Sequence, residues 1–231
     1  RNFRVMSLGT LARDIPERTA RIARARNAAL ARLRRESVYD GAGFVAIADL
    51  DGVNDELRAA AVNSCFLPGV PDWDVVTANQ RGRYYDVWAL RHPVWSPNDC
   101  WAQYRFLRAH GRSKTAASFA AVYARMVTLP VGGPWVEVDS AFGGLAIYRR
   151  AVLRHGHYVG MTPEGDPVCE HVPFHEALRE RGARIFVNPS LVNAGATDHS
   201  DPLQRLRRWW SERRDAAHDR RGGGATSDSQ A

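Results

Sequence analysis

The stretch Gly43-Phe44-Val45-Ala46-Ile47-Ala48-Asp49-Leu50-Asp51-Gly52 decides how the chain is read. Its short apolar run predicts a buried strand, and Gly52 predicts the turn that closes it. Asp49 and Asp51, spaced i, i+2, then stand at the strand's carboxyl end. In open α/β sheets, ligands bind beyond that end. Two carboxylates there make a hard-oxygen site suited to Mg²⁺ or Mn²⁺ carrying a phosphate group. Aspartates also start turns and cap helices for structural reasons, so a solvated turn is the competing reading.

Working back from this stretch, Arg18 to Glu36 reads RTARIARARNAALARLRRE and is rich in helix formers. Ile22, Ala25, Ala29 and Leu33 recur at helical spacing, a narrow face that would lie close to a sheet. Arg18, Arg21, Arg24 and Arg26 would occupy the polar face. There they are solvated, or one or two reach a phosphate, whose oxygens a guanidinium fork matches. Asn27 is a poor mid-helix residue and so a candidate for a specific hydrogen bond. Before this helix, Asn2 to Leu8 has the look of a strand.

Working forward, Asp55 begins a helix, and Asp72–Asn79 and Tyr84–Leu90 are predicted as strands. Trp101–His110 and Ser118–Val127 are predicted as helices. Val136–Arg149 reads as two short strands around Gly143-Gly144, a turn that lets backbone approach a ligand or simply closes a hairpin. Trp135 before it could stack on a sugar ring or belong to the core. Glu170 to Arg181 is a helix with Gly182 as its stop signal, and Arg184 to Val187 is a final strand. This alternation predicts an α/β fold whose sheet is largely parallel at first and mixed after Val136. No linker interrupts it. The expected organisation is one domain over 1–202, a basic segment over 203–221, and a low-complexity tail over 222–231.

The totals restrict function less than the motifs do. The chain has 231 residues, 45% hydrophobic and 25% charged, as in ordinary globular domains. No apolar run approaches a membrane span. The net charge is +7, and Lys114 is the only lysine among many arginines. Such a balance suits a phosphate-bearing ligand, nucleic acid or an anionic membrane without choosing among them. Cys65, Cys100 and Cys169 are odd in number and lack CxxC spacing, which argues against a disulfide framework or zinc site.

Glu170 opens its helix, where the helix terminus stabilises a carboxylate. It is a candidate base, or no more than a helix-start residue. His171 and His175 share a helix face, but the order is not HExxH, so a zinc-hydrolase reading is weak. His199, in the polar Asp198–Asp201 run, is a candidate late metal or phosphate ligand.

The run RTARIARARNAAL followed by FVAIADLD resembles the nucleotide-sugar-dependent glycosyltransferases of the GT-A fold. The segments FGGLAIYRRAVL and CEHVPFHEALRERGARIFVNPSLVN are similar to the acceptor-side half of the same enzymes. The likeness is closer still to the capsule-associated mannosyltransferase-like group, which shares an R-I-A-x-x-R-N helix before an acidic strand end. It covers roughly residues 1 to 195.

The resemblance implies a GT-A-like (Rossmann-like) mixed, mainly parallel sheet flanked by helices. It implies Mn²⁺ or Mg²⁺ on Asp49 and Asp51, with His199 near a further metal-binding histidine. Arg21, Arg26 and Asn27 would lie near the nucleotide, and Gly143 and Gly144 at the boundary of donor sugar and acceptor. Glu170 falls where inverting members keep an acidic catalytic residue, but the usual acidic pair is here Glu-His. The family begins with two strand–helix units before its arginine-rich helix. Only 17 residues, room for one strand, precede Arg18, so the expectation is an N-terminally incomplete domain lacking a central strand and part of the nucleotide pocket.

The expected activity is sugar transfer from a UDP- or GDP-linked donor to a glycan or lipid-linked hydroxyl acceptor, in cell-surface or capsular polysaccharide synthesis. The expected location is cytoplasmic, with the basic segment around Trp209 and Trp210 as a peripheral contact at the inner membrane face. Two other readings compete. A nucleic-acid-binding module would use the arginine-rich helix and tail, but no helix-turn-helix, zinc-finger or RNP motif accompanies them, and no nucleic acid is expected. A metal-dependent nucleotidyltransferase or phosphodiester hydrolase would want a third carboxylate, for which Asp139 is the candidate.

Overall fold

The structure, a computed structural model, describes residues 4–195. Five strands form one sheet: β1 (Phe44–Ala48), β2 (Val75–Gln80), β3 (Val136–Val138), β4 (Leu145–Arg149) and β5 (Ile185–Ala194). Their spatial order is β1-β4-β2-β5-β3. The helices are α1 (Arg18–Arg35), α2 (Ala59–Asn63), α3 (Cys100–Ala109), α4 (Lys114–Ala121) and α5 (His171–Arg179). The protein is thus α/β, with a mixed sheet flanked by helices.

The sheet is not mainly parallel. Only β2 and β5 pair in parallel, and β4 runs antiparallel to both β1 and β2 between them. The two strands around Gly143-Gly144 do not form a hairpin either: β3 pairs with β5, and β4 returns between β1 and β2. Because β1, β2 and β5 still run the same way, their carboxyl ends lie on one side of the sheet. The start of β4 joins them there, since Leu145 pairs with Ala48.

β2 is buried at every residue, as a central strand covered on both faces must be. β5 continues through Asn188-Pro189, where the expected strand stopped. A bulge absorbs the proline, with Thr77 opposite Val187 and Asn79 opposite Val192. The Asn79 amide donates to the Pro189 carbonyl at 3.0 Å inside that bulge. Residues 84–90, expected as a strand, form none, with a turn at 87–89: Tyr84, Val87, Ala89 and Leu90 are buried, and Asp86 accepts from the Ala89 backbone N–H. Residues 4–8 form no strand. The tail and the basic segment lie outside the described residues.

α1 packs on a face rotated from the expected one, with Leu33 still against the core. Thr19, Ala23 and Leu30 are buried, while Ala25 and Ala29 are exposed. Arg26 lies on the packed side, its charge met by carboxylates. The Asn27 amide nitrogen donates to the Tyr158 carbonyl at 2.8 Å, and its amide oxygen accepts from the Tyr158 N–H at 2.9 Å. At the start of the helix, Gly160 lies directly against backbone: a Cβ there would come within 2.3 Å of the Thr19 carbonyl. The three cysteines are buried free thiols. Among the described residues no helix is long and apolar enough to cross a membrane.

Candidate functional site

At the carboxyl ends of β1 and β2 the chain forms an open cavity of about 1120 Å³. One side is polar, formed by Arg26, Asp49, Asp51, Asp86, Glu170 and His171. The other is largely apolar, formed by Trp88, Trp101, Val122, Tyr123 and Met126 among others.

The guanidinium of Arg26 joins three elements. Its Nη2 donates to Asp49 Oδ1 at 2.8 Å, and its Nε to Glu170 Oε1 at 2.9 Å. Its carbon lies 4.9 Å from the centre of the Phe142 ring. Burial opposes its charge, but Glu170 and Asp49 outweigh burial and hold the guanidinium above its ordinary pKa. A cation this enclosed persists only because it is paired.

Asp51 is exposed, and its carboxylate accepts only a long 3.4 Å bond from the Val53 N–H. Asp49 is half-buried, with its Oδ1 committed to Arg26. Both carboxylates face the cavity, and their oxygens suit Mg²⁺ or Mn²⁺. Mg²⁺ in particular takes one or two protein carboxylates and completes its shell with water and phosphate. Among the described residues no group of three or more His, Cys, Asp or Glu gathers as a metal centre. His199 lies outside the described residues.

Gly143 and Gly144 act behind the cavity wall. Asp49 N–H donates to the Gly144 carbonyl at 2.9 Å, extending the β1–β4 ladder to the first aspartate. The Asn54 amide donates to the carbonyls of both Asp49 and Gly144, and the Asn193 amide to the Gly143 carbonyl. Both glycines have positive φ, and a Cβ on Gly144 would lie 2.5 Å from Val53. The turn is glycine because backbone and side chains crowd it, and its bonds fix the direction of the Asp49–Asp51 backbone. Arg21, expected near a nucleotide, instead donates to the Ile15 and Pro16 carbonyls before α1. Asn27 ties α1 to the segment before α5. Neither lines the cavity.

Asp86 is the functional candidate that the sequence reading missed. Its Oδ2 accepts from the Gly143 N–H at 3.0 Å, and burial pushes its carboxyl up to about 6. The two backbone bonds offset that effect only in part. Asp139, the expected third carboxylate, is held instead by Arg179 at 2.6 Å and does not line the cavity. Trp135 packs on Phe186 in the core.

No protein-family model and no curated protein sequence matches the chain.

The histidines of α5 divide. His175 is core: its ring nitrogens meet Ser140 Oγ at 3.0 Å and the Tyr148 hydroxyl at 2.9 Å. His171 borders the cavity, is 2% exposed, and stacks on Phe142 at 3.8 Å. Neither of its ring nitrogens has a hydrogen-bond partner, although Nε2 lies 3.5 Å from Glu170 Oε1. Burial, reinforced by Arg26 and His175, holds His171 neutral. A buried polar group left without a partner is costly, and here both ring nitrogens are buried without one.

Proposed function

We propose that the chain is a metal-dependent glycosyltransferase domain of GT-A type, taking a sugar from a nucleoside-diphosphate donor to a hydroxyl acceptor. One observation carries this reading. Residues from three distant segments, Arg26, Asp49 with Asp51, and Glu170, meet at one cavity at the carboxyl ends of β1 and β2. The cavity is large enough for a drug-sized or nucleotide-sized ligand. The exposed Asp51 and the cation-sharing Asp49 are what a site that receives a metal–diphosphate requires.

Asp49 and Asp51 would hold the Mn²⁺ or Mg²⁺, which supplies Lewis-acid stabilisation to the departing diphosphate. The remaining chemistry belongs to side chains. Arg26, already in the cavity wall, shares positive charge with phosphate oxygens. The acceptor oxygen forms its bond to the anomeric carbon as the bond to the diphosphate oxygen breaks and that oxygen takes the electron pair. The acceptor proton goes to a carboxylate.

Glu170 fits that last role less well than the resemblance implies, because Arg26 occupies its Oε1 at 2.9 Å. No arginine pairs with Asp86 among the described residues, and its enclosure favours proton uptake. We therefore assign the proton acceptor to Asp86 and the positioning of Arg26 to Glu170.

The test is turnover. The protein with Mn²⁺ and a series of UDP- and GDP-sugars should release nucleoside diphosphate from one of them, faster with an added hydroxyl acceptor. Chelation and Asp51→Ala should each stop the release. Release that survives both would overturn the metal assignment.

A further inference from the structure

The apolar side of the cavity is built largely by one helical hairpin, α3 and α4, with the turn that follows. From Cys100 to Val136 the sequence contains no aspartate or glutamate. Arg105, Arg108, Arg112 and Lys114 are exposed along the hairpin. None is in an ion pair among the described residues. A solvated surface ordinarily intersperses both signs of charge.

The same hairpin exposes large rings. Phe106 is 60% exposed, Phe119 is 64% exposed, and Trp101 is 41% exposed although it also borders the cavity. Phe106 rests on His110 rather than on the core. Ala102, Ala109, Ala116 and Ala120 are exposed between these rings, so the surface is aliphatic as well as aromatic. Cations and rings with no carboxylate match an anionic bilayer, whose headgroup region takes aromatic side chains while its phosphates take arginine and lysine. Single-stranded nucleic acid also takes rings and cations. The interleaved alanines favour lipid, because they offer nothing on which a base can stack.

We propose that the α3–α4 hairpin is a membrane-docking surface for anionic phospholipid, and that it brings a bilayer-borne, amphiphilic acceptor to the cavity. The acceptor's hydroxyl end would lie toward Asp86 and its apolar part along Val122 and Met126. The acceptor half of this inference rests on the transferase reading; the docking half does not.

The experiment is co-sedimentation of the full chain with phosphatidylcholine vesicles, with and without phosphatidylglycerol. Binding should require phosphatidylglycerol and weaken as salt rises. It should fall about tenfold in Phe106→Ser/Phe119→Ser, and as much in Arg105→Glu/Arg112→Glu. All four side chains are exposed, so both variants should keep the parent Tm. The inference is overturned by an absence of vesicle binding, or by binding that both hairpin variants retain. It is equally overturned if only Arg207→Glu/Arg208→Glu, outside the hairpin, abolishes binding. Tight binding of single-stranded DNA that Phe106→Ser/Phe119→Ser abolishes, with no vesicle binding, would overturn the lipid assignment and give the surface to nucleic acid instead. The vesicles contain no sugar donor, so failure here is distinct from failure of the transferase reading, which nucleotide titration exposes.

Discussion

Arg26 and Asp49 meet at 2.8 Å in the cavity wall, and the same guanidinium holds Glu170 at 2.9 Å. Removing the cation leaves Glu170, only 7% exposed at its side chain, without its partner. Arg26→Met should therefore cost about 3 kcal/mol in urea unfolding at pH 7. Adding Glu170→Gln should recover a sizeable part of that loss, because a neutral amide needs no counter-charge. Equal losses in the single and double variants would show that packing of the arginine stem, and not its charge, is what matters.

Asp86 makes two linked predictions. As the proton acceptor it should set the acid limb of kcat/KM near pH 6, and Asp86→Asn should lower kcat about a hundredfold or more. Its folded-state pKa is raised, so the folded protein holds this proton more tightly than the unfolded chain does. Stability should then fall as pH rises from 3.8 to about 6, relative to Asp86→Asn. The difference is at most about 3 kcal/mol. A pH–rate profile unchanged in Asp86→Asn would remove the residue from catalysis.

The two buried histidines act in the opposite direction. Burial lowers His175 from 6.5 to about 3 and holds His171 well below its ordinary range. The unfolded chain takes up protons that the folded protein refuses, so this stability is complete above pH 6.5 and is lost as pH falls below it. Tm should drop between pH 7 and pH 5, and His175→Gln should flatten that slope while lowering Tm at neutral pH. An equally steep acid slope in the variant would place its origin elsewhere.

Gly160→Ala tests how α1 is seated. The new methyl would meet Thr19 backbone, which cannot rotate away, so α1 must shift. The expected cost is roughly 1–3 kcal/mol, with nucleotide binding weakened because Arg26 moves with the helix. A variant of parent stability would mean that the segment around Gly160, and not α1, gives way.

Which of these features could be read in advance follows from their range along the chain. The Asp49–Asp51 pair was legible because an apolar run followed by aspartates is a local pattern, and β1 forms over Phe44–Ala48; but among the described residues it is an edge strand paired only with β4, with no buried residue, and not the buried strand expected. Arg26 and Glu170 were candidates from their places on a polar helix face and at a helix start, each beside a plain structural alternative, and the structure brings them to the same cavity. Asp86 was hidden because Tyr84–Leu90 alternates like a strand; only the burial of its hydrophobic residues within a turn reveals an inward carboxyl. The amides that fix the Gly143-Gly144 turn come from Asn54, Gln80 and Asn193, and Asn193 reaches Asn54 across 139 residues. No local pattern carries such a contact. The parallel sheet was overestimated because strand–helix alternation suggests crossovers, whereas β4 inserts between β1 and β2 after a long excursion through α3 and α4. The packed face of α1 was misjudged because Arg26 was placed on the polar face, whereas pairing with Asp49 and Glu170 lets it lie on the packed side.

The most direct measurement of the central claim is calorimetric titration of the protein with UDP, GDP and their sugars, with and without Mn²⁺, alongside Asp51→Ala. Binding should need both the metal and one nucleotide and vanish in Asp51→Ala, whose Tm without ligand should equal the parent's. Nucleotide binding that is indifferent to the metal and to Asp51, or none with any nucleotide, would contradict the claim.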